Sequence, residues 1–291
     1  MILVVGSTGI VGGIVTRKLC VMKRAVTALV RDPKSAKASA LKDAGAKLAV
    51  GDLKDRESIQ RALAGVETVI CTASATLSRR EGDSIETVDR KGNQDLIRAA
   101  RTAKVPRFVY VSYSRNMADD FPLGVAKREG ERMLESSGLD YVILLPSCFI
   151  DVWTTPPVGF DVAGGKVRIY GSGDAKISYI TVEDVASAVV AALDNPKAGR
   201  RAIPIGGPMA VSQRELVGLF EKAAGKKIQI EQMAEDEIQT ARAGTSDPLM
   251  STFLGLFAAL ARGDEIPSSW ASLLNVRPTS AADWVKRTFP R

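Results

Sequence analysis

The sequence predicts an α/β protein: a doubly wound parallel sheet with helices on both faces, then a smaller, mostly helical C-terminal lobe. Two observations predict it. Short apolar runs alternate with longer amphipathic segments through the first half, the rhythm of βαβ units. The first of these runs ends in a glycine-rich turn, Gly6-Ser7-Thr8-Gly9-Ile10-Val11-Gly12, which opens the first helix.

Taken in order, strands are expected at 2–5, 25–30, 47–50, 68–71, 107–112 and 141–146. Between them, 3.6-residue periodicity predicts helices at 11–22, 35–44, 56–64, 84–103 and 127–137. Crossovers of this length fit right-handed βαβ units. After Pro146 the rhythm breaks. Thr154-Thr155-Pro156-Pro157 and 159–165 read as loops. Segments 167–170 and 176–180 read as short strands joined in a tight hairpin through Gly171-Ser172-Gly173. Thr181-Val182-Glu183-Asp184 and Ser212-Gln213-Arg214-Glu215 are capping boxes, opening helices that run to about Asn195 and to Ala224. The tail is mostly helical and ends in a helix at 279–289. A nucleotide-binding domain is therefore expected over 1–150, taking further strands from about 176–205, with a substrate lobe over 151–291 interleaved with it.

Composition excludes several classes. The chain has 291 residues, 45% hydrophobic and 25% charged, enough for a sizeable core. Its net charge of +7 is spread along the chain, so nucleic-acid binding is not expected; the charge suits anionic small ligands. Cys20, Cys71 and Cys148 are far apart and form no CxxC, so no metal site and no disulfide framework is expected. The absence of histidine excludes Ser-His-Asp chemistry and HExxH metal sites. Acid–base work falls to Tyr, Lys, Asp, Glu, Cys, Ser or a cofactor. The first residues run straight into the first strand and the glycine turn, so no leader is expected, and the plain expectation is a cytoplasmic protein. The apolar run 253–261 has nine residues, too few to span a membrane; the segment 248–263 around it reads as a helix serving as a lid, an oligomer contact or core.

The glycine turn carries the functional reading. Gly6 lets the chain turn after the strand, Gly9 lets backbone approach a pyrophosphate, and Gly12 lets the helix pack against the sheet. The free N–H groups of the helix start then face an anion. The expected ligand is NADP(H), or failing that NAD(H). NAD binders end their second strand on an acidic residue. Here that strand ends Leu29-Val30-Arg31, and an arginine suits a 2′-phosphate. Lys34 is a second cation, and Asp32-Pro33 reads as a turn opening the next helix.

These residues resemble the atypical short-chain dehydrogenase/reductases, most closely the NmrA-like branch. The resemblance continues through Gly51-Asp52-Leu53, Val88-Asp89 with Gly92-Asn93, Phe108 to Ser112, Lys127 with Glu131, and Tyr179 to Ala186. It implies that Asp52 bonds the adenine with Leu53 beside the ring. It also implies that Thr72, Ala73 and Ser74 line the ribose and pyrophosphate, and that Lys127 bonds the nicotinamide ribose. The residues fit plainer roles too: a turn or cap for Asp52, loop polarity for Thr72 and Ser74, and a surface ion pair with Glu131 for Lys127.

One departure matters. The better-known branch uses Tyr-x-x-x-Lys, and here Leu123 stands four residues before Lys127. The proton donor is left between Lys127 and Tyr113, with Ser112 placed to polarise a carbonyl. Two functions follow: an NADPH-dependent reductase of a small carbonyl, quinone or activated alkene, or a non-catalytic redox sensor acting through a protein partner. Cys148, Phe149 and Trp153 are the expected substrate contacts, in a region also rich in Tyr170 and Tyr179. A homodimer is the other partner considered.

Overall fold

The computed structural model describes residues 1–78 and 80–289. The first half follows the apolar rhythm: β1 (Ile2–Val5), α1 (Ile10–Val21), β2 (Val26–Val30), α2 (Ala36–Asp43), β3 (Lys47–Val50), α3 (Arg56–Ala62) and β4 (Thr68–Cys71). A π-helix (Ile85–Gly92) leads into α4 (Asn93–Thr102), followed by β5 (Arg107–Val111), α5 (Pro122–Glu135) and β6 (Asp140–Pro146). Then come α6 (Ile150–Trp153), β7 (Phe160–Asp161), β8 (Lys166–Tyr170), β9 (Lys176–Ile177), α7 (Val182–Leu193) and β10 (Arg201–Ile205). The tail holds β11 (Val211–Ser212), α8 (Gln213–Ala224), β12 (Gln229–Met233), α9 (Glu235–Ala243), α10 (Pro248–Arg262), α11 (Ser269–Leu274) and α12 (Ala281–Thr288).

The main sheet has seven strands in the order β10-β6-β5-β4-β1-β2-β3. Every registered pair from β3 to β6 is parallel. β1 and β2 are buried at every position, as strands covered on both faces must be. Strand order reverses between β1 and β4, and ligands of such sheets bind beyond the carboxyl ends of the strands at that point. The fold is the expected doubly wound, Rossmann-type sheet with a helical C-terminal region.

The chain divides into two units. One comprises 1–112, 122–144 and 186–203; the other comprises 113–121, 145–185 and 204–291. The chain thus passes between them several times. In the second unit β8 is the centre of a three-stranded sheet, antiparallel to β7 and parallel to β12. A capping box at Ser212 opens α8, and Thr181 Oγ1 accepts the Asp184 N–H at the start of α7, both as expected. Asp184 in turn accepts the Thr279 N–H at 2.8 Å, tying the tail to α7.

Three expectations are corrected. The predicted hairpin through Gly171-Ser172-Gly173 does not form. Gly171 N–H donates to Met233 O, so the chain leaving β8 stays attached to β12, while β9 pairs with β11 instead. The single helix expected at 84–103 starts as a π-helix. Its wider turn leaves the Asp89 carbonyl to accept from Asn93 Nδ2 at 3.1 Å, with both side chains fully inside. Finally, α5 begins at Pro122 and not at Lys127; proline suits a first helical turn, where its missing N–H has no partner to lose.

Candidate active site

The glycine turn joins β1 to α1. A Cβ on Gly12 would lie 2.3 Å from Gly6 O and 2.6 Å from Thr72 Oγ1, so this glycine is demanded by packing inside the chain. A Cβ on Gly9 would meet only Gly6 O, at 3.1 Å, and Gly9 is exposed. The opening at Gly9 therefore faces outward. α1 starts there with no side-chain cap and no acidic residue in its first turn, so its N–H groups and positive dipole end keep their attraction for an anion. Ser7 is buried, its Oγ donating to Leu29 O at 2.7 Å, which ties the turn to β2. Thr8 is half-buried, Val11 is buried, and Ile10 is 46% exposed at the helix start. These features fit a pyrophosphate.

The ends of β2 and β3 hold a charged cluster. Arg31 Nη1 donates to Asp83 Oδ2 at 2.5 Å, and Lys54 Nζ donates to Asp83 Oδ1 at 2.7 Å. Ser78 Oγ donates to the same carboxylate at 2.5 Å. Burial works against the charge on Asp83, but the bonds from Lys54, Ser78 and Arg31 outweigh it and hold the carboxyl down at about 2. Asp52 is not a helix cap: Asp55 caps α3, while Asp52 Oδ1 accepts the Lys54 N–H and Oδ2 lies 3.8 Å from Lys54 Nζ. Leu53 is buried against Gly92, where a Cβ would come within 2.9 Å of the leucine Cβ. Lys34 is exposed, its backbone N–H donating to Asp32 Oδ1 in the expected turn.

At the ends of β4 and β5 lies a second, buried cluster. The Lys127 side chain is 6% exposed, so it is not the surface lysine that a helical i,i+4 pair suggests. Its ammonium is shared between Val111 O at 3.4 Å, Ala73 O at 3.5 Å and Asp89 Oδ1 at 3.7 Å, above the Tyr110 ring at 5.0 Å. Asp89 reaches this point from the π-helix, and its Oδ2 accepts the Ala75 N–H at 2.8 Å. Burial pushes the Asp89 carboxyl up, opposed by the charge of Lys127. Burial also pushes the neighbouring Cys71 thiol up to about 11. Glu131 takes other partners: it accepts from Arg128 Nη1 and from Ser112 Oγ, the latter at 2.5 Å. Thr72 Oγ1 donates back to Val5 O at 3.3 Å, Ala73 is buried, and Ser74 is exposed beside Thr76. The structure thus brings Ala73 and Lys127 together, with Thr72 and Ser112 next to the contacting residues in sequence, and adds Asp89.

Tyr113 belongs to the second unit. Its hydroxyl donates to Ala118 O at 3.0 Å and its ring leans on Phe121, centroids 6.0 Å apart. Nearby in sequence, Ser114 Oγ and Asn116 Nδ2 donate to Asp264 Oδ1 at 2.8 and 3.0 Å, a buried carboxylate that sequence reasoning did not single out. Trp153 lines a small aromatic recess with Phe160, Tyr170 and Tyr179. Phe257 stacks on Tyr170 at 4.1 Å and meets Trp153 edge-on at 5.9 Å. α10 is thus partly buried core of this unit. Cys148 is buried in the same core, its thiol pushed well up by burial and then by Asp264, and Phe149 is the half-buried residue before α6. Among the described residues no acidic, cysteine or histidine group could hold a metal ion, and no helix is long and apolar enough to cross a membrane.

The chain is 31% identical to an NAD(P)H azoreductase of Xenophilus azovorans over 250 residues, 85% of this chain and 82% of that protein. It is 29% identical to a photosystem II assembly factor of Synechocystis, over 80% of this chain and 70% of that one. An NADPH-dependent quinone oxidoreductase of Escherichia coli, solved with NADPH, shares the fold, with a TM-score of 0.81 at 24% identity over 99% of this chain and all 100% of that one. The family model described as NmrA-like matches residues 1–261, and the chain belongs to the NmrA-like family.

Proposed function

We propose that the chain is a reductase that uses NADPH on a small carbonyl, quinone or activated alkene. The observation that carries this reading is the glycine turn. Its inner glycine is required by packing, while its outer glycine opens an uncapped helix start to an anion. The Xenophilus relative, named an NAD(P)H azoreductase, supports a reductase reading.

In this reading the N–H groups of the turn from Gly6 to Val11 hold the pyrophosphate, and Arg31 holds the 2′-phosphate. Asp52 and Leu53 hold the adenine. Thr72, Ala73 and Ser74 line the ribose and pyrophosphate. Bound nicotinamide supplies the hydride. Lys127 holds the nicotinamide ribose and is the favoured proton source, kept in place by Asp89, Ala73 O and Val111 O. Tyr113 is the other donor, and Ser112 is assigned to polarise a substrate carbonyl. Each already gives its hydroxyl proton away, Tyr113 to Ala118 O and Ser112 to Glu131, and must exchange that bond before serving a substrate. Cys148, Phe149 and Trp153 of the second unit are assigned to substrate contact.

A second reading is a non-catalytic, NADP-binding sensor acting through a protein partner. Leu123 at the position of the usual tyrosine favours it, as does the relative named as an assembly factor. One experiment separates the two. Purified protein is titrated with NADPH and NADH by fluorescence, then offered quinones, enones, carbonyls and azo dyes. NADPH oxidation with any of them supports the reductase. Tight binding with no oxidation across the panel transfers the weight to the sensor.

A further inference from the structure

Asp83 joins the two cations at the ends of β2 and β3, and it comes from neither strand. It lies just before the π-helix, whose capping residue Ser84 and Thr87 fix the chain there; Thr87 Oγ1 also donates to Gly82 O at 2.8 Å. The Asp83 side chain is 2% exposed, while Arg31 and Lys54 keep 35% and 28% of theirs open. Asp52 adds a second carboxylate to Lys54 at 3.8 Å. Among the described residues these two cations face two carboxylates before any ligand arrives. A cation already paired has less attraction for a further anion until its carboxylate gives way.

We propose that Asp83 is a built-in anion that competes with the 2′-phosphate of NADP(H) for Arg31 and Lys54, and so sets how strongly the chain prefers NADPH over NADH. The proposal rests on the reading of Arg31 as the 2′-phosphate ligand. A phosphate with roughly −1.5 to −2 charges and three acceptor oxygens displaces a singly charged carboxylate. Its gain is then the difference between two anions rather than the whole of a new ion pair. NADH presents a neutral hydroxyl and needs no exchange. Asp83 thereby narrows the preference and leaves both dinucleotides usable. Mild acid does not release it, because the carboxyl is held at about 2.

The test is calorimetric titration of the full chain with adenosine 2′,5′-bisphosphate and with adenosine 5′-monophosphate, which differ only in the 2′-phosphate. Asp83→Asn is expected to tighten the bisphosphate about tenfold and to leave the monophosphate within about twofold. Ser78→Ala removes one bond that holds Asp83 and keeps every charge; it shifts the ratio the same way by a smaller factor. It also decides the matter if Asp83→Asn does not fold. Arg31→Ala is the control for the underlying reading and must weaken the bisphosphate selectively. If it weakens both ligands equally, the phosphate assignment fails, and this proposal with it. If Arg31→Ala is selective but the Asp83 and Ser78 variants leave the ratio unchanged or lower it, the competition is overturned and the phosphate assignment stands.

Discussion

The two charged clusters of the first unit use the same chemistry at different depths. Lys127 and Asp89 are both inside, with side-chain exposures of 6% and 0%, and share their charges with strand-end carbonyls and a backbone N–H. Arg31, Lys54 and Asp83 meet nearer the surface, with both cations about a third open. The difference teaches what each can do. In a low-dielectric interior a charge that loses its partner is severely penalised, so the inner cluster is a fixed device. Arg31 and Lys54 are near enough to water to exchange partners at small cost, so the outer cluster can answer an arriving anion.

The largest effect expected from this contrast is on turnover. Lys127→Met removes the proposed proton source and ribose ligand and is expected to slow NADPH oxidation at saturating NADPH by roughly 10²–10⁴-fold, with NADPH bound more weakly. Steady-state assays and a binding titration check this; full turnover in the variant would move the chemistry to Tyr113 or solvent. Next comes stability. Asp89→Ala leaves a buried ammonium and the Ala75 N–H without their carboxylate, at a cost of about 3–5 kcal/mol in chemical denaturation, and Asp89→Asn should cost less. A loss below about 1 kcal/mol would show that the inner cluster is not fixed in this sense.

Arg31→Ala should cost about 10- to 100-fold in NADPH affinity and little in NADH affinity, measured by fluorescence titration. The smallest effect is in the acid limb of stability, where the two carboxylates act with opposite signs. The Asp83 carboxyl is lowered from 3.8 to about 2, so its contribution is present above 3.8 and is lost as pH falls through about 2. With partners a third exposed this is worth roughly 1–2 kcal/mol. The Asp89 carboxyl is raised, so the folded state takes up its proton more readily than the unfolded chain and stability rises as pH falls through its folded value. Denaturation curves from pH about 6 down to 2 should therefore flatten in Asp83→Asn and steepen in Asp89→Asn. Parallel changes in both variants would break the contrast.

Much of this protein was set by the sequence alone. β1, the glycine turn and the start of α1 were legible because an apolar run, a glycine spacing and an uncapped helix start act within a few residues of one another. The Ser212 capping box was legible for the same reason. The tertiary structure decided who meets whom. Glu131, four residues from Lys127, went to Arg128 and Ser112, and the lysine took Asp89, brought in by a π-helical turn that periodicity does not distinguish from an α-helix. Asp83 found Arg31 and Lys54 at separations of 52 and 29 residues. β12 chose β8 over the local hairpin that the glycines suggested. Local signals fix a residue's own backbone state; pairings across tens of residues are fixed only when strand order brings the strand ends side by side.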